Sequence, residues 1–205
     1  MKATQTLPEG YVAVKRLDLT SNMRALALLN LAGFLLLVPA GWLFLRALLW
    51  LRPAEAGRGF DIHVEGSWQA LVAVLWFLGI YAVLIVSHEA VHGVFFWMIT
   101  RSRPAFGFKG LYAYACAPGW YISRNPYLVV SLAPLVVLSV AGVALFSVVP
   151  SGWLLPLLAL LALNVGGAAG DMYVGAWLLT RPATCLAQDM GDVFFLFEKK
   201  ATSRG

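Results

Sequence analysis

The chain has 205 residues, of which 60% are hydrophobic and only 12% are charged. Soluble domains are usually nearer half apolar and a quarter charged, so this composition excludes an ordinary soluble domain and favours a single integral membrane domain. The formal net charge is +5, but the lysines and arginines lie in short clusters beside apolar runs. This placement favours orientation in a lipid bilayer over binding to nucleic acid.

The first half of the chain contains two apolar runs that are long enough to cross a bilayer. A segment predicted to be extended, residues 7–19, precedes the first run, which covers about residues 25–51. A polar loop over residues 52–66 leads to the second run, residues 68–100. Because about 20 residues of helix cross the hydrocarbon layer, both runs are predicted to be transmembrane helices.

The second half contains two more apolar runs, which follow a stretch rich in glycine and aromatic residues. This stretch, residues 105–121, is too broken for a spanning helix, and its alternation predicts a short interfacial hairpin or a re-entrant loop. The runs at about residues 127–149 and 153–180 are predicted to be the third and fourth transmembrane helices. Residues 183–205 are predicted to form a polar tail.

The predicted fold is therefore an all-α polytopic membrane protein with about four transmembrane helices. Residues 1–24 form an N-terminal segment, residues 25–182 the transmembrane domain and residues 183–205 the C-terminal tail. Four Lys or Arg residues precede the first span, four lie in the second loop and four in the tail, against two in the first loop and none in the third. The positive-inside rule then places both termini and the aromatic loop in the cytoplasm. Four aromatic residues near span ends are predicted to anchor the protein at the membrane interface: Trp50, Trp68, Tyr127 and Trp153.

Only four ionisable side chains lie deep inside the apolar runs, and they are costly to keep there, so they indicate function. His88 and His92 are four residues apart, which puts both imidazoles on one helix face, where they can bind one ion. Zn²⁺ in hydrolytic sites usually takes three protein ligands and keeps one open position, and Asp171 is the candidate third ligand. Glu89 is the candidate general base and acid.

The predicted span ends place these residues at one depth. His88 and His92 lie 12 and 8 residues before the end of the second span, which is roughly 12–18 Å at 1.5 Å per residue. Asp171 lies nine residues before the end of the fourth span, or about 14 Å. Both spans run towards the cytoplasm, so the three candidate ligands are predicted to meet.

Other interpretations of these residues stay open at this point. The histidines and acids would also suit buried hydrogen bonds or a proton path, and a membrane scaffold or partner subunit would hold zinc without turnover. Asn164 lies seven residues before Asp171 on the same helix face. It is predicted to bind the substrate backbone or the developing oxyanion, with a hydrogen bond to a neighbouring helix as the alternative.

These motifs resemble those of the site-2 protease class of intramembrane metalloproteases. The resemblance rests on Ser87–Gly93 in a membrane helix, Ser131–Pro134 in the next span, and the stretch from Asn164 to Asp171. With Leu7–Tyr11 and the Gly170-Asp171 pair, the chain more closely resembles a small bacterial family of zincin membrane peptidases catalogued as a domain of unknown function. In site-2 proteases the third ligand usually sits in a Leu-Asp-Gly context, whereas here Met172 follows the aspartate.

The resemblance implies zinc ligands at His88, His92 and Asp171 and a catalytic Glu89. It implies hydrolysis of peptide bonds in membrane proteins or peptides, within the bilayer or at its cytoplasmic side. The expected location is the bacterial cytoplasmic membrane, and the expected partners are the substrate and the lipid bilayer.

Overall fold

Five α-helices make up most of the described chain. The structure, a computed structural model, describes residues 3–18, 23–57, 66–109, 112–191 and 193–200. The helices are α1 (Met23–Leu51), α2 (Ser67–Thr100), α3 (Arg124–Leu145), α4 (Leu154–Gly167) and α5 (Ala169–Leu179), with short 3-10 turns at Pro53–Glu55 and Ser151–Trp153. By length and composition α1, α2 and α3 are able to cross a membrane, and α4 with α5 makes a fourth crossing if the bent pair is one span.

The fourth apolar run is broken, whereas the sequence predicted one continuous helix. The axes of α4 and α5 differ by 42°, and the break falls at Ala168 after two glycines. A Cβ atom on Gly33 of α1 would lie 2.5 Å from the carbonyl oxygen of Gly166. The backbone of α1 therefore packs directly on the end of α4, and Asp171 falls in the first turn of α5.

Seven β-strands accompany the helices in the described part of the chain, so the all-α prediction is wrong and the fold is mixed α/β. Their bounds are β1 (Ala3–Thr4), β2 (Tyr11–Asp18), β3 (Ala105–Lys109), β4 (Tyr112–Cys116), β5 (Tyr121–Ser123), β6 (Leu186–Asp189) and β7 (Val193–Lys199). Five of them form an antiparallel sheet in the order β1-β5-β6-β7-β2. The polar tail predicted from residue 183 thus supplies two of its inner strands.

The sheet collects segments that are far apart in the chain. It joins the strands before α1, the strand before α3 and the strands after α5, so these three segments lie at one end of the helices. At the other end, Arg52 donates hydrogen bonds to the carbonyl of Val149 and the hydroxyl of Ser151. The five-stranded sheet therefore connects one end of the helix bundle, and the hydrogen bonds of Arg52 connect the other.

The hairpin predicted between the second and third spans is present. Strands β3 and β4 pair in antiparallel register, with Gly107 opposite Tyr114, and β4 packs against α2. A Cβ atom on Gly93 would lie 2.4 Å from the ring of Phe106. Because Gly93 follows His92, this contact places the hairpin beside the candidate ligands.

A buried apolar cluster holds the sheet against the helix ends. It includes Phe96 of α2, Val130 of α3, Leu178 of α5 and Leu196 of β7, all with at most 1% of their surface exposed. Burying a side chain of this size contributes about 1.5–3 kcal/mol each. The cluster fixes α2, α3 and α5 relative to one another, and these helices carry the candidate site.

Candidate metal centre

His88, His92 and Asp171 meet at one point between α2 and α5. His88 Nε2 lies 3.1 Å from Asp171 Oδ2, and His92 Nε2 lies 3.4 Å from Asp171 Oδ1. One ligand atom from each of the three residues lies within 4.8 Å of the others. The convergence predicted from the span ends is therefore present in the fold.

The spacing of these atoms fits a small tetrahedral ion. With metal–ligand distances of about 2.0–2.1 Å, neighbouring ligand atoms of a tetrahedral zinc site lie about 3.3 Å apart. Each imidazole Nε2 lies close to that distance from one of the two carboxylate oxygens of Asp171, 3.1 Å from Oδ2 for His88 and 3.4 Å from Oδ1 for His92. Two imidazoles and one carboxylate are also a donor set that zinc takes in hydrolytic enzymes, so the three residues fit a zinc ion.

The orientation of His88 is fixed by Asn164, which is buried in α4. The amide nitrogen of Asn164 faces the carbonyl of Pro134 at 3.5 Å, and its Oδ1 lies 3.1 Å from His88 Nδ1. Since a carbonyl only accepts, this network makes Oδ1 the acceptor of the His88 Nδ1–H. The lone pair of His88 then sits on Nε2, the nitrogen that faces Asp171.

The orientation of His92 is fixed by a backbone carbonyl that a proline leaves free. In a regular helix the amide of residue 134 would donate to the carbonyl of residue 130, but Pro134 has no N–H. The Val130 carbonyl instead accepts the Nδ1–H of His92 at 3.0 Å. His92 is 8% exposed and Val130 1%, so this carbonyl is the partner that selects the His92 tautomer with its lone pair on Nε2.

Asp171 is held by its backbone and by its place in the helix. The Ser131 hydroxyl of α3 donates to the Asp171 carbonyl oxygen at 2.7 Å. The first turn of a helix also favours a carboxylate, because its backbone N–H groups are unpaired and the helix dipole is positive there. The break before α5 thus brings Asp171 to the histidines and supplies a favourable local field.

Glu89 lies beside the three candidate ligands and faces the hairpin. Its carboxyl group interacts with the backbone of Ala115 in β4. It lines a cavity of about 580 Å³ together with His88, His92 and Asp171. The three candidate ligands and the candidate base therefore share one space.

Two polar residues that line the same cavity were not predicted from the sequence to belong to the site. Tyr127, predicted to be an interface anchor, is only 6% exposed, and its hydroxyl donates to Asp189 Oδ2 at 2.6 Å. Asp189 Oδ1 accepts the backbone N–H of Gly191 at 2.8 Å. Burial raises the pKa of the Asp189 carboxyl, and these two hydrogen bonds oppose that rise. Asp189 had no local signal, because it lies in the segment predicted to be a polar tail.

Asn164, which the sequence predicted to contact substrate, lies beside His88 and is part of the cavity wall. It is 2% exposed, and its side-chain contacts are with His88 and Pro134. This geometry matches the alternative of a hydrogen bond to a neighbouring helix. Its contact with substrate stays a prediction.

Comparison with known protein families identifies the family of this chain. The family model described as Putative zincin peptidase matches residues 81–186, a span that contains the three candidate ligands, Glu89 and Asn164. No curated protein and no solved structure matches the chain.

Proposed function

This chain belongs to the Putative zincin peptidase family, and we propose that it is a zinc-dependent peptidase that works within a membrane. The observation that carries the proposal is the meeting of His88, His92 and Asp171 in a cavity that Glu89 also lines. A metal group without an adjacent acid would suit storage or structure equally well. The adjacent Glu89 favours hydrolysis.

Each residue of the site has a separate task in this proposal. A zinc ion held by the three ligands supplies Lewis acidity, which activates water at neutral pH. Glu89 takes the proton from the attacking water and returns it to the leaving amine as the C–N bond breaks. Its interaction with Ala115 holds the carboxyl group on the side of the hairpin.

The substrate that we propose is an apolar segment of a membrane protein or peptide. Large apolar side chains on the outer surfaces of the helices are exposed, among them Val38, Val86 and Val140 with 65–76% of their surface free, as lipid contact requires. The cavity wall includes Leu29 and Phe34 of α1 and Ile85 of α2. Helix α1 packs mainly on α4 and has little contact with α2 in the described residues, so the gap between α1 and α2 gives a route from the bilayer.

The hairpin offers a way to hold an extended substrate. Residues Ala113–Ala115 of β4 line the cavity, and in the described sheet pairings β4 has β3 as its one neighbour. A substrate strand added to the second edge of β4 would run past Glu89. Replacing the hairpin by a short flexible linker without loss of cleavage would remove this step from the proposal.

The proposed setting is the bacterial cytoplasmic membrane, with the five-stranded sheet and both termini in the cytoplasm. The sheet end carries the clusters of lysine and arginine, whereas the opposite end has few, which is the asymmetry that orients membrane proteins. Labelling of single cysteines introduced in the exposed loop at Gly57 and in β2, by an impermeant reagent in intact cells, tests this orientation.

The test combines metal analysis with hydrolysis in liposomes. The purified protein is reconstituted with synthetic apolar peptides of about 20 residues, and products are identified by mass spectrometry. We expect Glu89→Gln to keep zinc and lose hydrolysis, and His92→Ala and Asp171→Ala to lose both. Stoichiometric zinc in both ligand variants would reject the ligand assignment. Zinc binding by the unmodified protein without cleavage of any peptide would instead favour a metal-binding scaffold.

A further inference from the structure

The cavity holds one acid that the proposed chemistry does not use. Three carboxylates line it, from Glu89, Asp171 and Asp189. Glu89 and Asp171 belong to the hydrolytic site, whereas Asp189 comes from β6 of the sheet. No lysine or arginine is among the described residues that line the cavity, and its two histidines belong to the candidate metal centre.

The carboxylate of Asp189 is fixed in place and keeps capacity for another partner. Tyr127 and the Gly191 amide each donate one hydrogen bond to it, one to each oxygen. Each carboxylate oxygen has two acceptor positions, so one remains on each. Within the described chain, no lysine or arginine forms an ion pair with Asp189.

The turn that carries Asp189 is part of the cavity wall and not a free loop. Gly191 has a φ of +91°, and a Cβ atom there would lie 2.3 Å from the ring of Tyr114 in β4. Tyr114 itself lines the cavity. The β3–β4 hairpin and the turn between β6 and β7 are therefore in contact at this end of the cavity. A substrate bound along β4 would reach Asp189 at the sheet end.

We infer that Asp189 is a specificity residue that binds a lysine or arginine side chain of the substrate, on the sheet side of the scissile bond. This inference rests on the proposed function. Membrane proteins carry an excess of lysine and arginine directly after their cytoplasmic helix ends, which is where a substrate in the proposed orientation would meet the sheet. A buried unpaired carboxylate is costly, and a cation that pairs with it removes that cost.

The raised pKa of Asp189 is consistent with this role. Burial is its largest cause, and the hydrogen bonds from Tyr127 and Gly191 and the charge of His92 offset only part of that rise. A bound ammonium or guanidinium group would favour the charged form. A substrate cation is therefore expected to bind more favourably beside Asp189 than elsewhere in the cavity.

The experiment measures peptide binding in the zinc-loaded Glu89→Gln variant, where hydrolysis is absent. Three N-acetylated apolar peptides of about 20 residues are compared, which differ only in the two residues at one end: two lysines, two glutamines or two glutamates. We expect the lysine peptide to bind about tenfold more tightly than the glutamine peptide, and Asp189→Asn to abolish that preference. Asp189→Lys should transfer the preference to the glutamate peptide. A fourth peptide, with a free N-terminus and no lysine, measures the contribution of a terminal amine.

Two matched variants separate specificity from a purely structural role. Tyr127→Phe removes one hydrogen bond and leaves the carboxylate, so the preference for lysine should persist. Asp18→Asn removes an acid from the same sheet that does not line the cavity, and it should leave the preference unchanged. Equal binding of all three acetylated peptides by the Glu89→Gln protein would overturn the inference, as would an added Asp189→Asn substitution that weakens the binding of all three equally. Hydrolysis by the parent protein is scored separately, so failure of the inference and failure of the proposed function give different results.

Discussion

Replacement of Pro134 by alanine tests how the fold prepares His92 for a metal. Pro134 lies inside α3 and leaves the Val130 carbonyl free for the Nδ1–H of His92 at 3.0 Å. Alanine restores a backbone N–H at residue 134, which in a regular helix donates to that same carbonyl. His92 then has to share its partner or lose it.

The expected effects on zinc affinity and on stability have opposite signs. Loss of an outer partner of a histidine ligand typically costs 10–100-fold in metal affinity. A carbonyl accepts two hydrogen bonds, so we expect the lower end, about tenfold. Proline inside a helix is about 3 kcal/mol less favourable than alanine, so the metal-free Pro134→Ala variant should unfold at the same or a higher temperature. A misfolded variant would instead show both a lower zinc affinity and a lower unfolding temperature.

The assay is competition for zinc with a chromophoric chelator, with thermal unfolding of the metal-free protein measured alongside. Pro39→Ala is the matched control, because Pro39 also lies inside a helix. The carbonyl that it frees belongs to Leu35, whose side chain is 62% exposed, and it serves no candidate ligand. Unchanged zinc affinity in Pro134→Ala, or an equal loss in Pro39→Ala, would refute this account of His92.

Three further predictions follow from the same contacts. Asn164→Leu should weaken zinc binding about tenfold in the chelator assay, whereas a residue that only contacts substrate would leave zinc affinity unchanged and raise KM. Gly33→Val should destabilise the protein by about 1–3 kcal/mol and lower zinc affinity, while Gly41→Val should do neither, since a Cβ atom at Gly41 meets nothing within 4 Å. Asp189 has a pKa raised above its ordinary 3.8, so its protonated form stabilises the fold. That contribution is complete below pH 3.8 and is lost as pH rises through the raised pKa, so the unfolding temperature of the parent relative to Asp189→Asn should fall as pH rises through that pKa and level off above it.

The part of the site that local spacing encodes could be predicted from the sequence. The four-residue spacing of His88 and His92 fixes their common helix face, and the structure keeps it. The meeting with Asp171 could be predicted because the length of an apolar run and the charges of its flanking loops fix depth and direction. The predicted ends of the second and fourth runs, Thr100 and Thr180, are within one residue of the observed helix ends.

Features that depend on contacts between distant segments could not be predicted. Strand β2 pairs with β7 across most of the chain, and neither strand has a pattern long enough to indicate a partner. The contact between Tyr127 and Asp189 joins residues 62 positions apart. The break at Ala168 lies beside the contact of Gly33 with Gly166, and the run itself is continuous and apolar, so its composition does not mark the break.

Helix α3 supplies no candidate metal ligand, yet it contacts both helices that do, α2 and α5, and also α4, which carries Asn164. Its Val130 carbonyl orients His92 on α2. Its Ser131 hydroxyl holds the backbone of Asp171 on α5. Its Pro134 carbonyl fixes the amide of Asn164 on α4, which in turn orients His88.

These contacts give a physical reason for the Ser131–Pro134 segment, which lies within the matched family region. A regular helix offers no free backbone carbonyl in its interior, because each one is bonded to the amide four residues later. The proline breaks that pattern at one point, and the serine adds a donor on the adjoining turn. Asp171 on α5 and the two histidines on α2 are therefore all positioned, directly or through Asn164, by one helix, α3. Small movements of α1 or of the sheet would then change access to the site before they change its geometry.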